Sequence, residues 1–404
     1  MVDDRKIPEG YKVTEAGVIP DDWDSLNVKD LVSFSGGSQP PKSTFRREKR
    51  PGYIRLIQIR DYKNDDYLTF IPEMLANKKC SADDIMIGRY GPPIFQILRG
   101  IDGAYNVALM KALPNEKLEK EYLYYFLKQE SLFRFIELLS RRSSGQTGVD
   151  LVALREYPFP LPPLQEQKAI AEALSDTDSL IQSVEKLIKK KKKIKQGAMQ
   201  QLLTGEKRLP GFSGEWEHRN VESFGEIITG GTPPTGVKAY WNGSIPWVTP
   251  TDITSTKNIY TTDRKITNTG LSKLRKLPKN SVLITCIASI GKNAVIKKDG
   301  ACNQQINAII PSNGYDSDFL YYLFESNKSY LLSNAGITAT NIISKKDFAL
   351  IEFLVPKLDE QKAIAQVLSD MDAEIEALEE KLEKYKTIKQ GMMQELLTGR
   401  IRLI

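Results

Sequence analysis

The chain has 404 residues, 41% hydrophobic and 27% charged, which is length for two or three cores and excludes a disordered tail. A net charge of +6 is too small at this size to establish a polyanionic partner by itself. Cys80, Cys286 and Cys302 lie far apart and read as reduced, buried small hydrophobes; the opening Met1-Val-Asp-Asp-Arg-Lys leads no apolar run, and no stretch nears the ~18 apolar residues of a membrane span, so a cytoplasmic protein is the default.

In chain order, a turn at Pro20-Asp-Asp-Trp23 leads into an apolar strand that ends in Ser35-Gly-Gly-Ser-Gln-Pro-Pro41. A basic stretch follows, with Lys42, Arg46, Arg47, Lys49, Arg50, Arg55 and Arg60, overlapping the strand pattern Ile54-Arg-Leu-Ile-Gln-Ile-Arg-Asp61. Next come the apolar run Ile85-Met-Ile87, the polar positions Arg89, Tyr90 and Gln96, the element Gly103-Ala-Tyr-Asn106, and a helix start at Tyr122-Leu-Tyr-Tyr-Phe-Leu127. Pro162-Pro163 then releases a long helix from Leu164 to the stop at Gly205.

After Gly205 the same order of elements recurs, closely in the long helix at an offset of about 194 residues and more faintly in the segment before it. Trp216 follows a turn; a strand ends in Thr229-Gly-Gly-Thr-Pro-Pro234; Ile245-Pro-Trp-Val-Thr-Pro-Thr-Asp252 matches the earlier strand ending in Asp61. Lys273, Arg275, Lys276 and Lys279 form a second basic cluster, Val282-Leu-Ile284 a second apolar run, and Gly300-Ala-Cys-Asn303 precedes the polar pair Gln304 and Gln305. A helix start at Phe319-Leu-Tyr-Tyr-Leu-Phe324 and a second long helix, from Leu358 to Gly399, complete the copy. The framework is shared while nearly every polar residue between differs, as expected of one scaffold that reads two different things.

The long helices match most closely. Leu164-Gln-Glu-Gln-Lys-Ala-Ile-Ala171 returns as Leu358-Asp-Glu-Gln-Lys-Ala-Ile-Ala365, and Leu202-Leu-Thr-Gly205 as Leu396-Leu-Thr-Gly399. In the distal helix Ile364, Leu368, Met371, Ile375, Leu378, Leu382 and Tyr385 alternate in steps of four and three, a coiled-coil seam. The central helix carries Ile170, Leu174, Ile181, Val184 and Ile188 at the same places, with Thr177 and Lys191 weakening the seam. About 36 residues each would span roughly 54 Å. Lys189 to Lys193 would fall near Asp372, Glu374 and Glu376 in an antiparallel pair, with a solvated face or a DNA or partner contact as the other readings. The end of the distal copy, Leu397-Thr-Gly-Arg-Ile-Arg-Leu403, finds its continuation at Glu9 to Pro20, so the chain reads as a circle cut once, with internal pseudo-twofold symmetry.

This layout resembles the DNA specificity (S) subunits of type I restriction-modification systems. The resemblance covers the whole chain; it is carried by Pro160-Leu-Pro-Pro-Leu-Gln-Glu-Gln-Lys-Ala-Ile-Ala171, by the exit Leu202-Leu-Thr-Gly-Glu-Lys-Arg-Leu-Pro-Gly-Phe212, by their distal copies, and by the Trp-to-Gly-Gly-x-x-Pro openings. Lys357 in place of Pro163 and the lysine run depart from the pattern. The resemblance implies an α/β (α+β) chain of two mixed target recognition domains, 1–160 and 207–354, separated by two long antiparallel coiled-coil helices, 161–206 and 355–404. It implies no catalysis and no cofactor of the chain's own. Each domain would read half of a bipartite, asymmetric double-stranded DNA site. Two methyltransferase (M) subunits, which hold S-adenosylmethionine and methylate adenine N6, would dock on the helices, and translocase/nuclease (R) subunits would join.

For phosphate and guanine contact the candidates are Lys42, Arg46, Arg47, Lys49, Arg50, Arg60, Lys273, Arg275 and Lys276. For base readout they are Arg89, Tyr90 and Gln96 in the first domain and Thr249, Thr251, Asn303, Gln304 and Gln305 in the second, each with a turn or buried hydrogen bond as the plain reading. Met199, Leu202, Met393 and Leu396 are candidates for M docking or for packing against the adjacent domain. Enzyme readings find little support. Gly91-Pro-Pro-Ile94 lacks the polar first and aromatic last residue of an adenine-methyltransferase tetrapeptide, and Pro41 breaks the phosphate-loop pattern before Lys42-Ser43. Asp252 with Asp263-Arg-Lys265 is a weak nuclease pattern, and the only histidine, His218, sits in a polar turn without ligand or triad partners. The remaining alternative is a coiled-coil adaptor binding proteins or RNA.

Overall fold

The computed structural model describes residues 7–140, 148–336 and 341–403; the opening hexapeptide lies outside them. The chain divides into two compact units, Met1–Val184 with Leu382–Ile404, and Glu185–Lys381. The architecture is mixed α/β. Two long helices, Leu164–Leu203 and Leu358–Leu396, have 40 and 39 residues. They are longer than expected because nothing breaks the helix before Thr204 and Leu397, and each is about 60 Å at 1.5 Å per residue.

In the first unit an antiparallel sheet orders Val32–Gly36, Leu109–Pro114, Ile85–Gly88 and Gln96–Leu98. A second sheet orders Phe70–Pro72, Tyr53–Ile57, Gly103–Tyr105 and Lys79–Cys80, with Tyr53–Ile57 and Gly103–Tyr105 parallel. The apolar run at Ile85 is a strand buried at every position, as its lack of alternation requires. Helix Lys120–Leu127 buries six consecutive residues, Tyr122 to Leu127, in a core shared with Trp23, Phe159, Ile170, Leu174, Leu396 and Leu397.

The second unit repeats the plan. Gly225–Thr229, Ile306–Pro311, Val282–Thr285, Asn293–Ile296 and Asn258–Ile259 form one sheet, and Lys265–Ile266, Trp241–Val248 and Ala301–Cys302 another. Helix Ser317–Ser326 is buried from Phe319 to Phe324, in a core with Leu202, Leu203, Ile364 and Leu368. His218, expected in a turn, lies instead in strand Glu217–Asn220 opposite Leu354, because Glu352–Val355 supplies a pairing partner from far along the chain.

The repeated polar residues of the long helices are pinned, and the partners are the same types in each unit. Glu166 is buried; it accepts from Trp23 Nε1 at 2.9 Å and from both Nε and Nη2 of Arg402 at 2.7 and 2.8 Å. Glu360 is likewise buried between Trp216 Nε1 at 3.2 Å and Arg208 Nη2 at 2.6 Å. Next to them, the Gln167 amide donates to Lys117 O and Pro162 O and accepts from Glu119 N–H; Gln361 does the same with Gly314 O, Pro356 O and Asp316 N–H. A buried charge is tolerable only when paired and hydrogen-bonded, so the Leu-x-Glu-Gln pattern at each helix start is accounted for by its partners. About three turns further along each helix, Asp178 accepts from Tyr125 OH at 2.9 Å and Lys389 Nζ at 2.6 Å, and Asp372 accepts from Tyr322 OH at 2.6 Å and from Lys195.

Within the second unit Lys191 pairs with Glu374 and Lys192 with Glu379, both at 2.6 Å. Asp372 and Glu374 are two of the three acids expected beside the lysine run, but Asp372 is met by Lys195, beyond the run, and Lys192 meets Glu379 where Glu376 was expected. Of the seam positions, Ile170, Leu174, Ile181, Val184, Ile188, Ile364, Leu368, Ile375 and Leu382 are buried, while Met371 and Leu378 are half-buried. Leu202 and Leu396 are buried in the unit cores, with Met199 and Met393 packed against those cores, so these four residues face inward within their units.

Candidate nucleic-acid interface

In each unit three recurrent sequence elements meet at one place. In the first, Gly37 is pressed against the backbone of Asn106: a Cβ there would lie 1.9 Å from Asn106 O. In the second, a Cβ on Gly230 would lie 2.1 Å from Asn303 O. This close approach explains why the Gly-Gly and Gly-Ala-x-Asn elements travel together. The third element is the turn after the strand that ends near an aspartate. Asn106 N–H donates to Ile57 O and Asn303 N–H to Val248 O, while Asp61 and Asp252 accept from the N–H of Gln58 and Thr249 respectively. The scaffold residues are therefore backbone contacts and turn closures, and the side chains between them are free to vary.

In the first unit Arg89 joins this place, donating to Val107 O at 3.4 Å and lying 5.3 Å over the ring of Tyr90, which is exposed. Gln96 folds back onto Pro93 O at 2.9 Å. Lys42, Arg47, Lys49, Arg50 and Arg60 are exposed, and Arg46 is half-buried, its guanidinium donating to Ser43 O and Phe45 O. Arg47 and Arg60 converge on Tyr67, at 5.9 and 5.5 Å from its ring. Arg55 turns the other way, pairing with Asp65 at 2.8 Å and approaching Asp61 at 3.6 Å. Burial raises the pKa of the Asp61 carboxyl, against the lowering by the Gln58 N–H and the nearby arginines.

In the second unit the turn Thr249–Asp252 is closed on itself. Thr249 Oγ1 donates to Asp252 at 2.7 Å and lies 2.8 Å from Thr251 Oγ1. The other Asp252 oxygen accepts from Asp263 N–H, so the Asp252 carboxylate closes loops. Asn303 is buried, its Nδ2 donating to Gln305 Oε1 at 3.0 Å; Gln304 is exposed and accepts from Thr232 at 2.6 Å. Lys273, Arg275 and Lys276 are exposed beside the Gly-Gly loop, since Leu274 Cδ2 lies 3.2 Å from a Cβ on Gly231. Lys276 pairs with Asp299 at 2.7 Å. The structure thus places Arg89 beside the Gly-Gly loop of the first unit and Thr249, Gln304, Lys273 and Arg275 beside that of the second, with Arg55 and Asn303 engaged in internal bonds.

The family model described as the type I restriction modification DNA specificity domain matches this chain twice, over residues 20–196 and 213–387. The chain belongs to the type I restriction-modification DNA specificity family. A type I restriction enzyme MjaVIII specificity subunit of Methanocaldococcus jannaschii is 26% identical over 98% of this chain and 96% of its own. The MjaIX specificity subunit of the same organism is 36% identical, over 40% of this chain and 39% of its own. In fold, a crystal structure of the type I S subunit from M. genitalium covers 98% of this chain and 99% of its own at a TM-score of 0.61 and 14% identity.

As a specificity-family chain, the protein has sequence recognition on DNA as its role. The three cysteines are free and buried, and burial pushes the thiols of Cys80, Cys286 and Cys302 up to about 11, 11 and 12. Among the described residues no cluster of His, Cys, Asp or Glu could hold a metal ion, and no helix is long and apolar enough to cross a membrane. Residues missed in the sequence are Tyr67, which carries two arginines, and Thr232, which holds Gln304. Neither had a local signal: Tyr67 follows Asn64-Asp-Asp66, beyond the basic stretch that ends at Arg60, and Thr232 is marked only by its place in the Gly-Gly-Thr loop.

Proposed function

We propose that this chain is the non-catalytic, cytoplasmic, sequence-reading subunit of a type I methyltransferase/endonuclease. One recognition domain (1–160) reads one half of a bipartite, asymmetric duplex site, and the other (207–354) reads the second half. The segments 161–206 and 355–404 pair as an antiparallel coiled coil, set the spacer between half-sites and dock two M subunits; R subunits complete the restriction enzyme. Methyl transfer and its S-adenosylmethionine belong to M. The observation that carries this reading is the same three-element constellation occurring twice with different polar side chains, Arg89, Tyr90 and Gln96 in one unit, Thr249, Thr251, Gln304 and Gln305 in the other. Exposed Lys42, Arg47, Lys49, Arg50, Arg60, Lys273 and Arg275 supply phosphate neutralisation around it.

The antiparallel pairing is supported inside each unit: Lys192 meets Glu379 while Lys195, further along, meets the earlier Asp372, and Lys389 meets Asp178. A circular organisation with pseudo-twofold character is supported by the first unit, where Arg402 and Gly399 bond to Asp22 and Tyr11, as Arg208 bonds within the second. The deciding experiment co-expresses the chain with the M subunit encoded nearest it and maps N6-methyladenine across the genome by single-molecule sequencing. One bipartite motif with a fixed spacer is expected. An assembled complex that marks no motif would favour the adaptor reading.

A further inference from the structure

We infer that Arg264 reads a guanine in the half-site bound by the second recognition domain; this rests on the functional reading above. Its guanidinium carbon lies 3.8 Å over the ring of Trp241 and 5.0 Å from that of Trp247. The two indoles are buried and meet edge to face, centroids 5.0 Å apart at 86°, and form a fixed floor. Arg264 itself is exposed, and among the described residues no carboxylate pairs with it, in contrast to Arg208 and Arg219 in the same unit. Its backbone is tied down as well. Arg264 O accepts from Trp247 N–H at 3.4 Å and Thr262 Oγ1 at 2.5 Å, while Asp263 N–H donates to the Asp252 carboxylate that closes the Thr249–Asp252 turn. The backbone at Asp263–Arg264 is thus tied to the turn that carries two of the candidate readout residues, Thr249 and Thr251.

A planar guanidinium held over one aromatic face, here that of Trp241, keeps its hydrogen-bonding fork free while giving up rotamer freedom in advance. Two parallel N–H donors held in this way match the O6 and N7 acceptors on the major-groove edge of guanine. A phosphate contact needs chiefly a charge, which the neighbouring Lys273 and Arg275 already offer on flexible, exposed stems.

The test compares wild type with Arg264→Ala and Arg264→Lys, each assembled with the M subunit, by genome-wide N6-methyladenine mapping, salt-dependent DNA binding and thermal melting. Lysine keeps the charge and loses the fork, so it supplies an answer should the alanine variant fold poorly. The expected result in both variants is one G·C position that becomes degenerate in one half-site, with the other half-site and the spacer unchanged. Discrimination at that position should fall by about 5- to 150-fold, the range for one bidentate contact. Uniform weakening on an unchanged motif, with a salt slope shallower by about one, assigns Arg264 to phosphate and overturns the inference. An unchanged motif with only a lower melting temperature overturns it too, leaving Arg264 as a cover for the tryptophans. A wild-type complex that marks no bipartite motif overturns the functional reading and this inference together.

Discussion

At the scale of single residues the buried glutamates are the positions where one atom group matters most. Glu166 is held by Trp23 and Arg402, and the same carboxylate without its arginine would be a buried, half-satisfied charge. Arg402→Ala should therefore destabilise the first unit by about 3 kcal/mol, read as a melting temperature lower by roughly 6–12 °C for a domain of this size. Adding Glu166→Gln to that variant should recover part of the loss, because the stranded charge goes with it; a double variant less stable than Arg402→Ala would refute the account. The pair also fixes a pH dependence. The hydrogen bond from Arg402 lowers the pKa of Asp22, so the stability Asp22 contributes is present above the ordinary aspartate range and is lost as pH falls through the folded value. Asp22 is more than half exposed, which limits the effect to about 0.5 kcal/mol. Asp22→Asn should melt slightly below wild type at pH 7, with the gap closing below about pH 4.

At the scale of elements, the contacts around the long helices separate into strong and weak ones. Asp372 accepts from Tyr322 and Lys195 together and so joins a recognition-domain helix to both long helices within its unit. Lys192–Glu379 is a surface pair with both side chains about half exposed. Chemical denaturation should show Asp372→Asn costing about 1–2 kcal/mol and Lys192→Ala no more than about 0.5 kcal/mol; equal effects would argue against this ranking. Much of this scaffold was legible beforehand. A seam in steps of four and three, glycine stops and a proline start define a long helix locally, and both are helices over their whole length. The pairs Gly37 with Asn106 and Gly230 with Asn303 were legible only as recurrences, since their cause is a backbone approach across some seventy residues. Arg264 gave no local sign of this setting: Asp263-Arg-Lys265 read only as a weak nuclease pattern, and the indoles that define its surroundings come from positions 241 and 247. The strand at His218 was hidden in the same way, its partner lying more than a hundred residues on.

At the scale of the whole molecule, the proposed spacer role makes a prediction that the polar pairs sharpen. Lengthening only the central helix would shift Lys191, Lys192 and Lys195 against the distal acids while leaving Asp178 where it is, so one set of pairs must break. Lengthening both helices by four residues at the junction between units, after Val184 and after Lys381, keeps every pair within its unit intact. Four residues add about 6 Å of helix, which corresponds to roughly two base pairs at 3.4 Å each. They also turn the helix by about 40°, the same sense in which two base pairs advance DNA, so each domain still finds a groove it can enter. The doubly lengthened chain, assembled with M and mapped by N6-methyladenine sequencing, should therefore mark the same two half-sites with a spacer longer by one or two base pairs. The singly lengthened chain should melt lower and methylate poorly. An unchanged spacer in the double variant would remove the helices as the measure of distance and leave that role to the docked M subunits.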